Sequence, residues 1–313
     1  MAALAALNGL FLRAFGFLMS LVLMWTAPPK QQTTIEPVDS GSLKLQFSAI
    51  ADTHMTIYEF GNINNLAKSL QDMRASQTRQ DALVLVGDNG GRSGMTNYLT
   101  LYGLLSHYNP AKNILAAIGN HDLDGISWLG YGPQERHQFY YRSLTCADTG
   151  GKPYYNREIN GYTFIVLGSE YEIWPMEGED APRGYLSQAQ LDWLDDSIRA
   201  AAAGKPVFIF MHQTLNNLHA WGGIGEQSED LRAILERYPN IIIFNGHMHN
   251  PPGMRQVNGV TFVNLPAFVT RDDNPNPCRG FQVEVYDGEV ILRARDYLNS
   301  EWLTANVYRV AYS

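Results

Sequence analysis

Five of the eight histidines in the chain, His54, His121, His212, His247 and His249, stand directly behind short apolar runs, and carboxylates or an amide accompany them. LKLQFSAI runs into Ala51-Asp52-Thr53-His54, ALVLVG into Asp88-Asn89, and NILAAIG into Asn120-His121-Asp122. PVFIFM ends at His212, and IIIFN ends at Gly246-His247-Met248-His249. Carboxylates, imidazoles and an amide oxygen without thiolate form a donor set suited to Mn, Fe or Zn. A carboxylate has two oxygens and can bridge. Two ions roughly 3.5–4 Å apart are recurrent machinery for phosphoryl-ester hydrolysis, with a bridging hydroxide as nucleophile near neutral pH.

Such residues need rigid elements to hold them, and from Leu43 onward short β-branched runs alternate with helical patterns, as in an α/β core. Strands are predicted over 43–50, 82–87, 113–119, 162–168, 206–211 and 241–245, and further ones over 260–265, 281–286 and 289–297 without helices between them. Asp287-Gly288 marks a hairpin turn between the last two. Helices are predicted over 63–75, 96–107, 134–143, 187–203 and 228–237, the fourth opened by a Ser187/Gln190 capping box. The loops at strand carboxyl ends, where α/β proteins place their chemistry, are those that carry the histidines.

The composition is that of a globular protein: 313 residues, 45% hydrophobic and 17% charged, long enough for one large domain or two small ones. A net charge of -8 offers no basic stripe and argues against nucleic acid as a partner. Two cysteines, Cys146 and Cys278, exclude a disulfide scaffold and a Cys-rich zinc module; in an exported chain they could pair, in a cytosolic one they would be buried thiols. Residues 1–27 carry Arg13 ahead of AFGFLMSLVLMWTA and fit either a cleavable signal peptide or a signal anchor, so export is expected, as a secreted or outer-face, membrane-anchored protein. A membrane is expected as a partner through this segment only. Residues 28–42, PPKQQTTIEPVDSGS, read as a linker, 43–297 as the catalytic domain and 298–313 as a C-terminal tail.

The ordered set Asp52-Thr53-His54, Gly87-Asp88, Gly119-Asn120-His121-Asp122, His212 and Gly246-His247-Met248-His249 resembles the calcineurin-like metallophosphoesterase superfamily, over residues 44 to about 295. The resemblance implies a four-layer α/β/β/α sandwich with two mixed sheets and a dinuclear site at the strand ends, holding two divalent ions per chain. It implies that Asp52, His54 and His249 hold the first ion, that Asn120, His212 and His247 hold the second, and that Asp88 bridges. His121 is similar to the family histidine that assists the departing alkoxide, with Asp122 as the carboxylate that orients it. Arg92 could reach a substrate phosphate, and the loops carrying His219, Trp221 and Arg271 could rim the cleft. Position 91 is glycine where the purple acid phosphatase branch has tyrosine, so an iron–tyrosinate centre is not expected. The stretch 184–194 resembles bacterial proteins of the cyclic-nucleotide phosphodiesterase-like branch, which favours a small-molecule phosphodiester as substrate. A phosphomonoesterase would carry the same ligands, and a noncatalytic metal-binding scaffold the same fold.

Overall fold

A computed structural model describes residues 36–75, 80–91, 95–123, 140–141, 144–145, 149–173, 183–201, 203–215, 223–225, 227–269 and 274–313. The apolar N-terminal segment, Arg92, Cys146, His219, Trp221, Arg271 and most of the helix predicted over 134–143 lie outside these residues.

Two six-stranded sheets form the centre. In the first, β1 (Leu45–Ile50), β2 (Gln80–Val86) and β3 (Ala111–Ala117) run parallel. Antiparallel β12 (Arg279–Tyr286), β13 (Glu289–Asp296) and β14 (Glu301–Ala311) extend this sheet from β1. The second sheet has the order β10 (Gly253–Val257), β11 (Val260–Asn264), β9 (Ile241–Asn245), β8 (Val207–Phe210), β5 (Tyr162–Val166) and β4 (Tyr155–Ile159). A short ribbon, β6 (Glu172–Ile173) with β7 (Arg183–Gly184), completes the strands among the described residues.

The sheets face each other across an aromatic core. Phe47 of β1 sets its ring edge-on to Phe208 at 5.0 Å and Phe164 at 5.1 Å, a geometry favoured by the aromatic quadrupole. Leu83, Leu85 and Ala116 point the other way, against α1 (Phe60–Arg74) and α2 (Met95–Tyr108). Ile165, Ile209 and Ile243 do the same against α4 (Gln188–Ala200) and α5 (Ser228–Leu235), a one-turn helix α3 (Asn120–Leu123) lying between the two pairs in sequence. The expected four layers are therefore present. Central strands such as β2 are buried on both faces, which is why their sequences are continuous apolar runs rather than alternating ones.

Differences from the expected elements are informative. Residues 298–313, expected as a tail, instead supply edge strand β14, paired with β13 from Glu289↔Ala311 to Asp296↔Glu301 around a bulge. Its alternation is broken by that bulge and by exposure, so it carries no clean strand period. Strands β4 and β10 escape prediction as well, although the Asn160-Gly161 and Asn258-Gly259 turns that join them to β5 and β11 are strong hairpin signals. Ser187 caps α4 by accepting from the Gln190 backbone N–H at 3.3 Å. The Gln190 side chain does not reciprocate: it is buried, and its Nε2 donates to the Gly168 carbonyl at 3.0 Å, tying α4 to the end of β5.

Candidate metal centre

Parallel β1, β2, β3, β8 and β9 point their carboxyl ends at one edge. There the segment beyond β11 of the second sheet bonds to the segment beyond β1 of the first, Phe268 N–H donating to Ala51 O and Val269 N–H to Asp52 O, while Gly246 N–H donates to His212 O and continues the β8–β9 pairing. The chain leaves these strands through backbone that L-residues rarely adopt: Asp52, His54, Asp88, His247 and His249 all have φ between 40° and 69°. Five left-handed non-glycine residues in one cluster represent stored strain that the surrounding fold must hold. Glycine is required beside them. A Cβ on Gly119 would overlap the Asp88 carboxylate, and one on Gly246 would come within 2.6 Å of Asp52 Oδ2.

The side chains of Asp52, His54 and His249 bring ligand atoms within 4.8 Å of one another, and so do those of Asp88, His212 and His247. Asp88 joins a third such group with His54 and His121. His212 lies between the two carboxylates, its Nε2 3.2 Å from Asp88 Oδ2 and 3.8 Å from Asp52 Oδ1. Its Nδ1 is 2.8 Å from Val86 O; a carbonyl only accepts, so the proton sits on Nδ1 and Nε2 faces the cluster. Asp52 uses Oδ2 to accept the His247 N–H at 3.1 Å, and Asp88 uses Oδ1 to accept the His121 N–H at 2.8 Å. The other oxygens, Asp52 Oδ1 and Asp88 Oδ2, face the imidazoles.

Charges are compressed here. Burial alone would raise the Asp52 and Asp88 carboxyls, but His212 and its neighbours hold both below the ordinary carboxylate range. Burial would lower His212, yet Asp88 and Asp52 push it up to about 10. Burial wins at His54 and His247, both pulled down to about 4, which leaves neutral imidazoles able to ligate. The Asp52 carboxylate, its Oδ1 3.2 Å from His249 Nε2, raises His249. Four buried atoms, Asp52 Oδ1, His54 Nε2, Asn120 Oδ1 and His212 Nε2, have no hydrogen-bond partner. Other such atoms are scattered through the fold, but these four belong to residues expected as ligands, and a cation would supply the missing partner. The donor set fits two divalent cations.

Asp122 differs from expectation. Its Oδ1 accepts from Gly90 N–H at 2.9 Å, Asn89 N–H at 3.0 Å and Tyr98 OH at 3.0 Å, while Oδ2 accepts from Gly119 N–H at 2.9 Å. Consecutive residues on a helical turn do not share a face, so a carboxylate next to His121 in sequence need not meet its ring. Asp122 instead staples the loop after β2 to the loop after β3. Burial, then the Asp88 charge, lifts its carboxyl to about 7. The carboxylate facing the His121 ring is Asp88, with Nε2 and Oδ2 4.0 Å apart. Tyr98 had no sequence signal; it lies in the first turn of α2 in an apolar pattern, and only the fold brings its hydroxyl to Asp122.

An α/β/β/α sandwich with this histidine–carboxylate cluster at one sheet edge defines a class of metal-dependent phosphoester hydrolases. The family profile described as calcineurin-like phosphoesterase matches residues 45–251, and the chain belongs to that family. A 3',5'-cyclic-nucleotide phosphodiesterase of Nostoc sp. is 24% identical over 87% of this chain and 94% of its own. A glycerophosphodiester phosphodiesterase of Enterobacter lignolyticus is 28% identical over 70% of this chain and 76% of its own. Among solved structures, a dimetal phosphatase from Danio rerio superposes with TM-score 0.63 at 14% identity, covering 87% of this chain and all of the other. A purple acid phosphatase from yellow lupin gives 0.61 at 13% identity, covering 85% of this chain and 53% of the other; both support the fold.

Proposed function

We propose that the chain hydrolyses small-molecule phosphodiesters, with Asp52, His54 and His249 holding one divalent ion, Asn120, His212 and His247 a second, and Asp88 shared between them. The observation that carries this reading is the convergence of ligand atoms from five strand ends, several of them buried and without hydrogen-bond partners. Manganese, iron and zinc all suit a donor set of carboxylate, imidazole and amide oxygen. Divalent ions bound there neutralise phosphoryl oxygens and acidify water, which supplies the nucleophile.

The chain's own residues do the rest. Asp52 and Asp88 provide the negative charge that attracts and fixes the cations. His54 and His247, kept neutral by burial, offer lone pairs. His121 is the most open imidazole of the cluster, 36% exposed at the side chain, and its ring lies edge-on to His54 with centroids 4.8 Å apart. From that position it can hand a proton to the departing alkoxide. Asp122 positions His121 and Asp88 through the backbone and does not touch the reacting atoms.

A diester is favoured over a monoester because both curated relatives named above are phosphodiesterases. Export rests on the apolar residues 1–27 and would be checked by the mass and fractionation of the mature chain. The function is tested by loading the full chain with Mn2+ and comparing bis-p-nitrophenyl phosphate with p-nitrophenyl phosphate, with His121→Asn alongside. A diester preference that His121→Asn largely removes is the expected result. A monoester preference would replace the reading with a phosphatase, and two bound ions without turnover of either ester would favour the scaffold.

A further inference from the structure

Three large aromatic side chains are exposed among the described residues, Tyr58 at 82%, Phe60 at 72% and Tyr171 at 50%, and all three stand at the metal edge. Tyr58 and Phe60 come between β1 and the body of α1, and Tyr171 lies just beyond the carboxyl end of β5, a strand parallel to β8. By its spacing Phe60 shares a helix face with Ile63, Ala67 and Leu70, which are buried, yet its own ring is left in water. Tyr171 stacks on Tyr185 with centroids 4.3 Å apart, which fixes the ring while leaving half of it open.

Charge and chain reach decide what such rings would meet. Glu59 stands between Tyr58 and Phe60, Glu170 and Glu172 flank Tyr171, and no lysine or arginine occurs within two residues of any of the three. An anionic surface, whether nucleic acid or acidic lipid, would call for basic side chains there. A second copy of the chain would set glutamates against glutamates. A zwitterionic lipid surface has neither defect, and aromatic rings settle at its boundary between water and acyl chains. The chain is also tied down within reach of such a surface. Fully buried Glu284 accepts from Val38 N–H at 2.8 Å and from Arg293 at 2.8 Å, and Arg293 donates to Glu36 O at 2.9 Å, which fixes residues 36–38 on the first sheet. Glu284 pairs with Gln46, and the strand rise from Gln46 to Asp52 is roughly 20 Å. Residues 28–35 span up to about 28 Å when extended, so the apolar run within residues 1–27 and the metal edge can meet one lipid surface.

We propose that the metal edge docks on a zwitterionic lipid surface, with Tyr58, Phe60 and Tyr171 entering the headgroup layer. This extends the membrane contact from the N-terminal segment to the folded domain. Under the phosphodiesterase reading the docking brings esters carried in the bilayer to the metals, but the docking itself does not depend on that reading.

The experiment is hydrogen–deuterium exchange on the full chain with and without phosphatidylcholine vesicles. Peptides spanning 55–63 and 168–173 are expected to exchange more slowly on the vesicles, while the Asp287-Gly288 hairpin, at the opposite end of the first sheet, keeps its rate. Tyr58→Ser combined with Phe60→Ser, both at exposed positions, should abolish the protection at 55–63. A chain that stays off the vesicles, or one that binds them with no protection at the metal edge, overturns the proposal. So does equal protection of the hairpin, protection that the substitutions leave unchanged, or protection seen only with phosphatidylglycerol vesicles. Protection that arises without vesicles as protein concentration is raised would make a second copy the occupant and overturn it as well. Turnover of bis-p-nitrophenyl phosphate by the manganese-loaded chain supplies the control. The double variant should keep the wild-type rate on this soluble ester; a fall in that rate with vesicle protection intact would assign the rings to the substrate cleft and overturn the docking. If neither protein turns the ester over, the hydrolase reading falls and the exchange data still decide the docking.

Discussion

Among the buried acidic groups of the first sheet and its helix layer, the Asp72 site and the Asp52–Asp88 site are solved in opposite ways. Asp72 of α1 is 1% exposed and meets Arg295 of β13 in a two-pronged pair, Nε to Oδ2 at 2.6 Å and the guanidinium NH2 to Oδ1 at 2.9 Å. Trp302 of β14 closes over the guanidinium at 4.6 Å. Each charge there has its complement, and neither residue has left-handed backbone. At the metal edge, Asp52 and Asp88 are equally buried, yet their facing oxygens look towards imidazoles and lone pairs, held there by strained backbone. The first arrangement is complete in the protein alone. The second has the donors of a site that cations would complete, and this difference separates a stability device from a reactive one.

The comparison is broken most sharply at Asp88. Asp88→Asn keeps the shape but removes the shared charge, and turnover should fall by about 10⁴-fold or more, a loss of about 5 kcal/mol of transition-state stabilisation. Elemental analysis should show fewer than two ions per chain while the melting temperature of the metal-free protein is held or raised. Wild-type rates from this variant would remove Asp88 from the site. Arg295→Met should do the reverse. It removes the guanidinium that pairs with the buried Asp72 and should cost about 3–5 kcal/mol of stability, read by urea unfolding, with per-molecule activity intact in the folded fraction. Asp72→Leu added to Arg295→Met should recover much of that loss, since replacing both members of a buried pair is often neutral.

The two sites also differed in how far the sequence displayed them. The candidate ligands stand out in the sequence because each stands where an apolar run stops, so position relative to a strand end carries the signal. His247 and His249, one residue apart, fall into different ligand groups because both sit in left-handed backbone at a turn rather than in an extended strand. The Asp72–Arg295 pair was invisible: the partners are 223 residues apart, and nothing local distinguishes Asp72 from any polar residue of an amphipathic helix. The same limit misplaced Asp122, whose neighbourhood is set by the loop after β2 and by Tyr98 and not by His121. Edge strand β14 was missed because a bulge and an exposed face erase its period, while the doubly buried central strands announced themselves as apolar runs.

Metal removal sharpens the contrast at intermediate scale. Loaded protein should unfold at higher urea than chelated protein, by about 2.7 kcal/mol for each ion at free metal one hundred times its dissociation constant, because cations bind the folded cluster and not the unfolded chain. Arg295→Met should shift both curves equally and leave their separation unchanged, since the two acidic sites share no partner. A separation that shrinks in Arg295→Met would mean that the sites are coupled through the sheet.

The smallest effect belongs to Trp302. Its ring lies 3.6 Å from the Arg293 guanidinium carbon and 4.6 Å from that of Arg295, so it covers two cations at once. Trp302→Leu keeps an apolar cover but loses the π face, and a loss of about 1 kcal/mol per well-formed contact is expected. Arg293 also donates to Glu284 at 2.8 Å and to Glu36 O at 2.9 Å, so it keeps its hydrogen bonds in the variant, whereas Arg295 keeps Asp72. The loss should therefore be one of stacking alone, independent of salt to within error. A strongly salt-dependent loss would show that the ring acts by shielding the ion pair from water, which would place the Asp72–Arg295 site closer to the metal edge in kind: a charge cluster whose completeness depends on what covers it.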